Sequence, residues 1–218
     1  MPATTAVSES ETGSRSEPRG MMAAPGEYTA TLMKEVDGKI ASISEPVKFN
    51  VERMRTGALK GAEPEETVEF WKEIADLQRS TSAASRTLQE ALKRTDLLTA
   101  ALKRTPAAPG NLDTRLHGLR QALLELDEKL NGNRSRQQVG EPNNPTINRR
   151  ISVAMTGTRS STYGPTPTHK RSLEIAHEQF KEFKHSLEEI VEKKLPEFEK
   201  VLQDAGAPWV KGQPIPEN

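Results

Sequence analysis

The chain has 218 residues, 33% of them hydrophobic, 4% aromatic and 28% charged, with 31 Lys and Arg against 31 Asp and Glu and no cysteine. A net charge of zero lacks the clustered positive field that nucleic-acid phosphates require, and the absence of cysteine removes disulfides, thiol chemistry and Cys-ligated metal. So polar a chain cannot fill a deep core; it suits long helices that bury one narrow stripe, with some disorder, and it holds no apolar run long enough to span a bilayer.

Residues 1–25, rich in Ser, Thr, Glu, Pro and Gly, are expected to be disordered. They contain no apolar stretch of the kind a signal peptide needs. Residues 26–55 read as a β-hairpin. Tyr28, Ala30 and Leu32 alternate with Glu27, Thr29 and Thr31, Asp37-Gly38 supplies a turn with positive φ, and Val47, Phe49 and Val51 alternate again. Pro46 marks a bulge or an edge position. Two strands alone are marginal in water, so the face carrying Tyr28, Leu32, Phe49 and Val51 needs the helices or a sheet from elsewhere to cover it.

The helices follow. Glu63-Pro64-Glu65-Glu66 has the composition of a helix start. Phe70, Ile74, Leu77, Thr81, Ala84, Leu88, Ala91, Thr95, Leu98 and Leu102 then recur at steps of four and three, which is a heptad seam. After Thr105–Gly110 a second seam runs through Leu112, Leu116, Leu119, Leu123, Leu126 and Leu130. The short connection predicts antiparallel neighbours. Residues 131–168 read as a long basic loop with one short helix near Ile147–Met155. The third long helix starts near Pro167 with a seam of Leu173, Ala176, Phe180, Phe183, Leu187 and Ile190. The seam then slips by one residue to Val191, Leu195, Phe198, Leu202 and Ala205, beside Pro196, which predicts a bend. Gly206 ends the helix.

The fold class expected is therefore mainly α: an antiparallel three-helix, coiled-coil-like bundle over residues 62–206, an N-terminal hairpin, and a tail at 207–218. Within the bundle, Glu174-x-x-His177 and Glu182-x-x-His185 have the spacing of carboxylate-bridged di-metal ligands. Both copies lie on one helix and off its seam, so the reading adopted is a solvated face. Arg134, Arg136, Arg149, Arg150, Arg159, Lys170 and Arg171 make the loop basic. An anion or acidic-partner patch is weighed there against neutralisation of Glu-rich helix faces such as Glu188, Glu189 and Glu192, and the second is preferred. Arg149-Arg150-Ile151-Ser152 has the form of a basic-directed kinase site, a pattern too short to carry weight. Trp71 and Trp209 read as packing anchors. No Ser/His/Asp set, Gly-rich phosphate loop or converging carboxylate pair is present, so no catalytic, cofactor-binding or metal residue is expected, and the chain is expected not to be an enzyme.

Three stretches carry a resemblance: Pro25-Gly26-Glu27-Tyr28-Thr29 with Val47-Lys48-Phe49-Asn50-Val51, Leu124–Leu130, and Leu202–Pro208. Over roughly residues 25–216 the chain resembles the C-terminal end of bacterial sortilin-type, Asp-box β-propeller proteins, often labelled glycosyl hydrolase-like. The resemblance implies that the hairpin is the remainder of an Ig-like sandwich and that the parent is periplasmic or secreted. It also implies that the chain is a non-catalytic helical accessory module, packed against an upstream propeller domain or another chain. The propeller and its Asp boxes are missing here, so no functional residue of the family carries over. A hydrolase-like fragment with its chemistry outside this chain and a free-standing coiled-coil scaffold, including a homo-oligomer, are the alternatives.

Overall fold

Asp37 and Gly38 both take left-handed backbone angles, φ 51° and 73°, and the two-residue turn they form matches the twist of the strands it joins. The computed structural model describes residues 23–54, 57, 60–105, 108–159, 161 and 163–213; nearly all of the segment expected to be disordered lies outside them. The hairpin has β1 (Gly26–Ala30) paired with β4 (Val47–Val51) and β2 (Met33–Val36) paired with β3 (Lys39–Ser42), all antiparallel. Between the two ladders one arm has residues 31–32 and the other 43–46. The longer arm bulges, and Pro46 sits in the bulge, where no ladder N–H is needed. The bulge has its own bonds: Ile43 N–H donates to Leu32 O at 2.9 Å, and Leu32 N–H donates to the Ser44 hydroxyl at 2.9 Å.

The other regular elements of the described chain are helices. α1 (Pro64–Leu102) opens on Pro64 with Glu65 and Glu66 in its first turn, the residues a positive helix end favours. Its buried side chains include Phe70, Ile74, Leu77, Thr81, Leu88, Ala91, Thr95 and Leu98, as the seam predicts, together with Trp71, Ala75 and Ala101. The hydroxyls of Thr81 and Thr95 donate to carbonyls of their own helix, Gln78 and Leu92, so the polar seam positions are satisfied inside the core. α2 (Leu112–Asn131) buries Leu112, Leu116, Leu123, Leu126 and Leu130 and ends at Gly132, φ 90°. Gln89 bonds Asp127 and Arg120 bonds Asp96. The numbering rises on one helix as it falls on the other, so α1 and α2 are antiparallel.

The segment 131–168 holds more structure than the expected loop, and the one short helix expected near Ile147–Met155 is present and longer. It contains a single-turn helix, α3 (Arg134–Gln138), capped by the Asn133 side chain, and a full amphipathic helix, α4 (Ile147–Arg159). α4 buries Ile147, Ile151, Ala154 and Thr158 in the same core as α1, α2 and α5. The reason is length. At about 1.5 Å rise per residue a 20-residue helix covers about 30 Å, roughly half of the 39-residue α1 beside it. α4 starts where α2 stops, with Asn148 Nδ2 donating to Asn131 Oδ1 at 2.8 Å. It then covers the half of α1 that α2 leaves open, reaching Trp71 through Thr158.

α5 (Pro167–Glu189) starts at Thr166, whose hydroxyl accepts from His169 N–H while His169 Nδ1 accepts from Thr166 N–H. This capping box uses imidazole where Glu or Gln is usual. A π-helical turn at Ile190–Lys194 follows, with Leu195 N–H donating to Ile190 O, and then α6 (Leu195–Asp204). The turn takes up one extra residue. That is the physical content of the one-residue slip in the seam: Leu187 and Ile190 before it, and Leu195, Phe198 and Leu202 after it, all stay in the core. The continuous run of α5 and α6 is parallel to α1, since Lys170 of α5 pairs with Glu66 near the start of α1 and Glu199 of α6 with Arg94 farther along it.

Candidate functional site

The hairpin is the part of this chain whose chemistry is unspent. Directly opposed residues share a face, and so do alternate residues along a strand. The register pairs Tyr28 with Phe49 and Ala30 with Val47. Beyond the bulge the Ile43–Leu32 bond extends the other ladder, which pairs Lys34 with Ala41 and Val36 with Lys39. One face therefore carries Tyr28, Ala30, Leu32, Val36 and, opposite them, Ala41, Ile43, Val47, Phe49 and Val51, with Lys34 and Lys39 near the tip. The Tyr28 and Phe49 rings stack at 6.0 Å between centroids, and the Tyr28 hydroxyl donates to Ala24 O at 2.8 Å. The opposite face is polar at its base, where Lys48 pairs with Glu27 at 2.9 Å.

The helices do not cover this face. Leu32, Val36, Ile43, Val47 and Phe49 are between 47% and 63% exposed, and Met33 and Ile40 on the other face are as open. At roughly 100 Å² of exposed area for each half-open large side chain, the five present on the order of 500 Å², the size of the largest apolar patch on a typical monomer, which is often functional. The expectation that Tyr28, Leu32, Phe49 and Val51 form one apolar face fits this register, and the face is left open to solvent.

No family model, no curated protein and no solved structure matches the chain.

The other residues singled out in the sequence do not converge. Glu174, His177, Glu182 and His185 are all exposed on α5, Glu174 and His177 beside the groove that faces α1, with Glu174 bonded to Arg171 at 2.6 Å. Among the described residues no group of three or more His, Asp or Glu side chains is placed to hold a metal ion. The Glu174 carboxylate raises the pKa of the Arg171 guanidinium above its ordinary value, first by the hydrogen bond and then by its charge. The basic side chains scatter. Arg134, Arg136, Arg149 and Arg159 are exposed, Arg150 is half-buried against Gln179 at 3.2 Å, and Lys170 and Arg171 bond Glu66 and Glu174. Of the carboxylates expected to neutralise them, Glu188 pairs with Lys184 and Glu189 with Lys194. The hydrogen bond from Lys194, followed by its charge, holds the Glu189 carboxyl below the usual range. Ser152 is exposed in mid-helix on α4.

The two tryptophans differ. Trp71 is a buried anchor, but Trp209 is 53% exposed, and the neighbouring Val210 takes the buried place. An open groove of about 810 Å³ lies between α1 and α5, floored by Phe70 and Leu173 and rimmed by Glu69, Glu73, His177 and Glu178. The sequence reading passed over Glu199, a carboxylate only 5% exposed, which forms a bidentate pair with Arg94. The signal for it is faint: Glu199 is next to the seam residue Phe198, on the side of α6 that turns toward α1.

Proposed function

We propose that this chain is a non-catalytic helical interaction module that works by docking the apolar face of its β-hairpin onto β-structure of another domain or chain. What supports the reading is one observation: large apolar side chains are held in a defined register on a hairpin and left exposed. A two-stranded ribbon is marginal unless something packs on it. The reading takes the seams of α1, α2 and α5 as a coiled-coil-like antiparallel brace. The likeness of residues 25–51 to the end of an Ig-like sandwich adds a class of neighbour, the tail region of a sortilin-type propeller protein.

Hydrogen exchange on a dilute, monomeric sample tests it. Amides of residues 28–51 are expected to exchange much faster than those of 74–102 and 173–195. Equal protection in the monomer would mean that the face is already covered, and the docking reading would fall.

A further inference from the structure

We propose that a second copy of this chain covers the hairpin's apolar face, the two hairpins stacking face to face and antiparallel in a four-stranded sandwich. The proposal rests on the docking reading above and names its partner.

The face is self-complementary when reversed. Along the ribbon, from tip to base, the opposed pairs are Val36 with Lys39, Lys34 with Ala41, Leu32 with Ile43, Ala30 with Val47, Tyr28 with Phe49 and Gly26 with Val51. A two-fold axis crossing between the third and fourth pairs lays each arm over its own reversed copy. Leu32 of one copy then meets Ala30 of the other, Ile43 meets Val47, and Phe49 meets Ala41. Val36 meets Gly26, which has no side chain. Leu32, Phe49 and Val36 thus face small residues, as two interdigitating sheet faces about 10 Å apart require, while Ile43 packs on Val47 and Lys39 lies over Val51. Tyr28 meets Lys34, whose ammonium lies over the ring while its methylenes cover apolar surface. Stacking in the parallel sense would bring Lys34 and Lys39 of both copies together at one end and set Tyr28 against Phe49 and Leu32 against Ile43, large on large.

Size and charge point the same way. Two faces of roughly 500 Å² bury on the order of 1,000 Å², the lower limit for a specific protein interface. The apolar face itself carries two lysines, 34 and 39, and residues 26–51 as a whole carry three, 34, 39 and 48, against four carboxylates, 27, 35, 37 and 45, short of the basic cluster of about four or more that anionic lipid attracts.

The test uses the whole chain and sedimentation velocity over a dilution series up to roughly 100 µM, where an interface at this lower limit is populated. The expected result is a monomer that becomes a dimer, with hairpin exchange slowing in step. Phe49→Glu and Ile43→Glu are each expected to leave a monomer at every concentration with helical circular dichroism unchanged. Because the chain has no cysteine, orientation can be read without background. A mixture of two chains, one with Ala30→Cys and one with Leu32→Cys, should be joined between copies by a short bismaleimide, whereas Val36→Cys alone should not. Ready joining of Val36→Cys with itself would overturn the antiparallel stack. A wild-type chain that stays monomeric throughout would overturn the second copy as partner. In that monomer, fast hairpin exchange would spare the docking reading, and slow exchange would remove it as well.

Discussion

The indole Nε1 of Trp71 donates to the Thr158 hydroxyl at 2.9 Å across 87 positions of sequence. The Thr158 hydroxyl in turn donates to Ala154 O at 2.8 Å. Both side chains are buried, Thr158 completely, so this bond ties α4 to α1 and selects one register between them. Thr158→Val keeps the shape but strands the indole N–H, which is expected to cost about 1–3 kcal/mol. Trp71→Phe in the Thr158→Val background should cost less than it does alone. Urea unfolding of the full double-mutant cycle measures the coupling, and simple additivity would show that the bond contributes nothing.

Leu88 and Leu123 are both fully buried in the shared core of α1 and α2. Truncating either to Ala is expected to cost about 2–5 kcal/mol, as for buried leucines whose sites do not collapse. A midpoint shift in chemical denaturation corresponding to less than about 0.5 kcal/mol would remove the seam as the source of stability.

Glu199 is 6% exposed at its side chain and faces Arg94, itself 24% exposed, while Arg94 also donates to Gly212 O at 3.3 Å. The pair fastens α6 and the following segment to α1. Arg94→Met leaves a carboxylate buried without its cation, and the expected loss is about 3–5 kcal/mol. Arg94→Met with Glu199→Leu should recover most of it, because two well-packed apolar side chains carry no desolvation cost. A double variant as unstable as the single one would argue against the pair as a buried charge.

The chain alone is expected to hydrolyse aryl glycosides, esters and phosphates no faster than buffer. His177→Gln with His185→Gln is expected to leave both stability and metal content unchanged, because both imidazoles are exposed. Turnover abolished by one substitution, or stoichiometric zinc or iron lost in the double variant, would contradict the non-catalytic reading.

Local pattern carries far in a chain of this kind. Most positions of the α1 seam, all but Leu119 of the α2 seam and the whole α5 seam from Leu173 to Ile190 are buried, since a narrow apolar stripe on a polar helix has one way to leave water. Asp37-Gly38 turns the hairpin because few other pairs tolerate positive φ at both positions. The slip between Ile190 and Val191 is readable as a fault in the repeat; that it is a π turn, rather than a bend at Pro196 alone, depends on the backbone bonding at Leu195.

By itself the sequence determined which faces of the long helices are apolar, where the chain reverses in the hairpin, and that the hairpin's apolar face needs a cover. Only the tertiary structure decided what fills the lower half of the core. α4 carries Ile147, Ile151, Val153, Ala154 and Met155, a pattern that locally marks a short helix but not its place in the core, and it is required because α2 is half as long as the helix it lies on. The Arg94–Glu199 pair was likewise a tertiary decision: a Glu beside a seam looks solvated until a neighbouring helix brings a cation to it. Periodicity reports burial against an unspecified neighbour, and naming the neighbour requires the three-dimensional register of helices far apart in the chain.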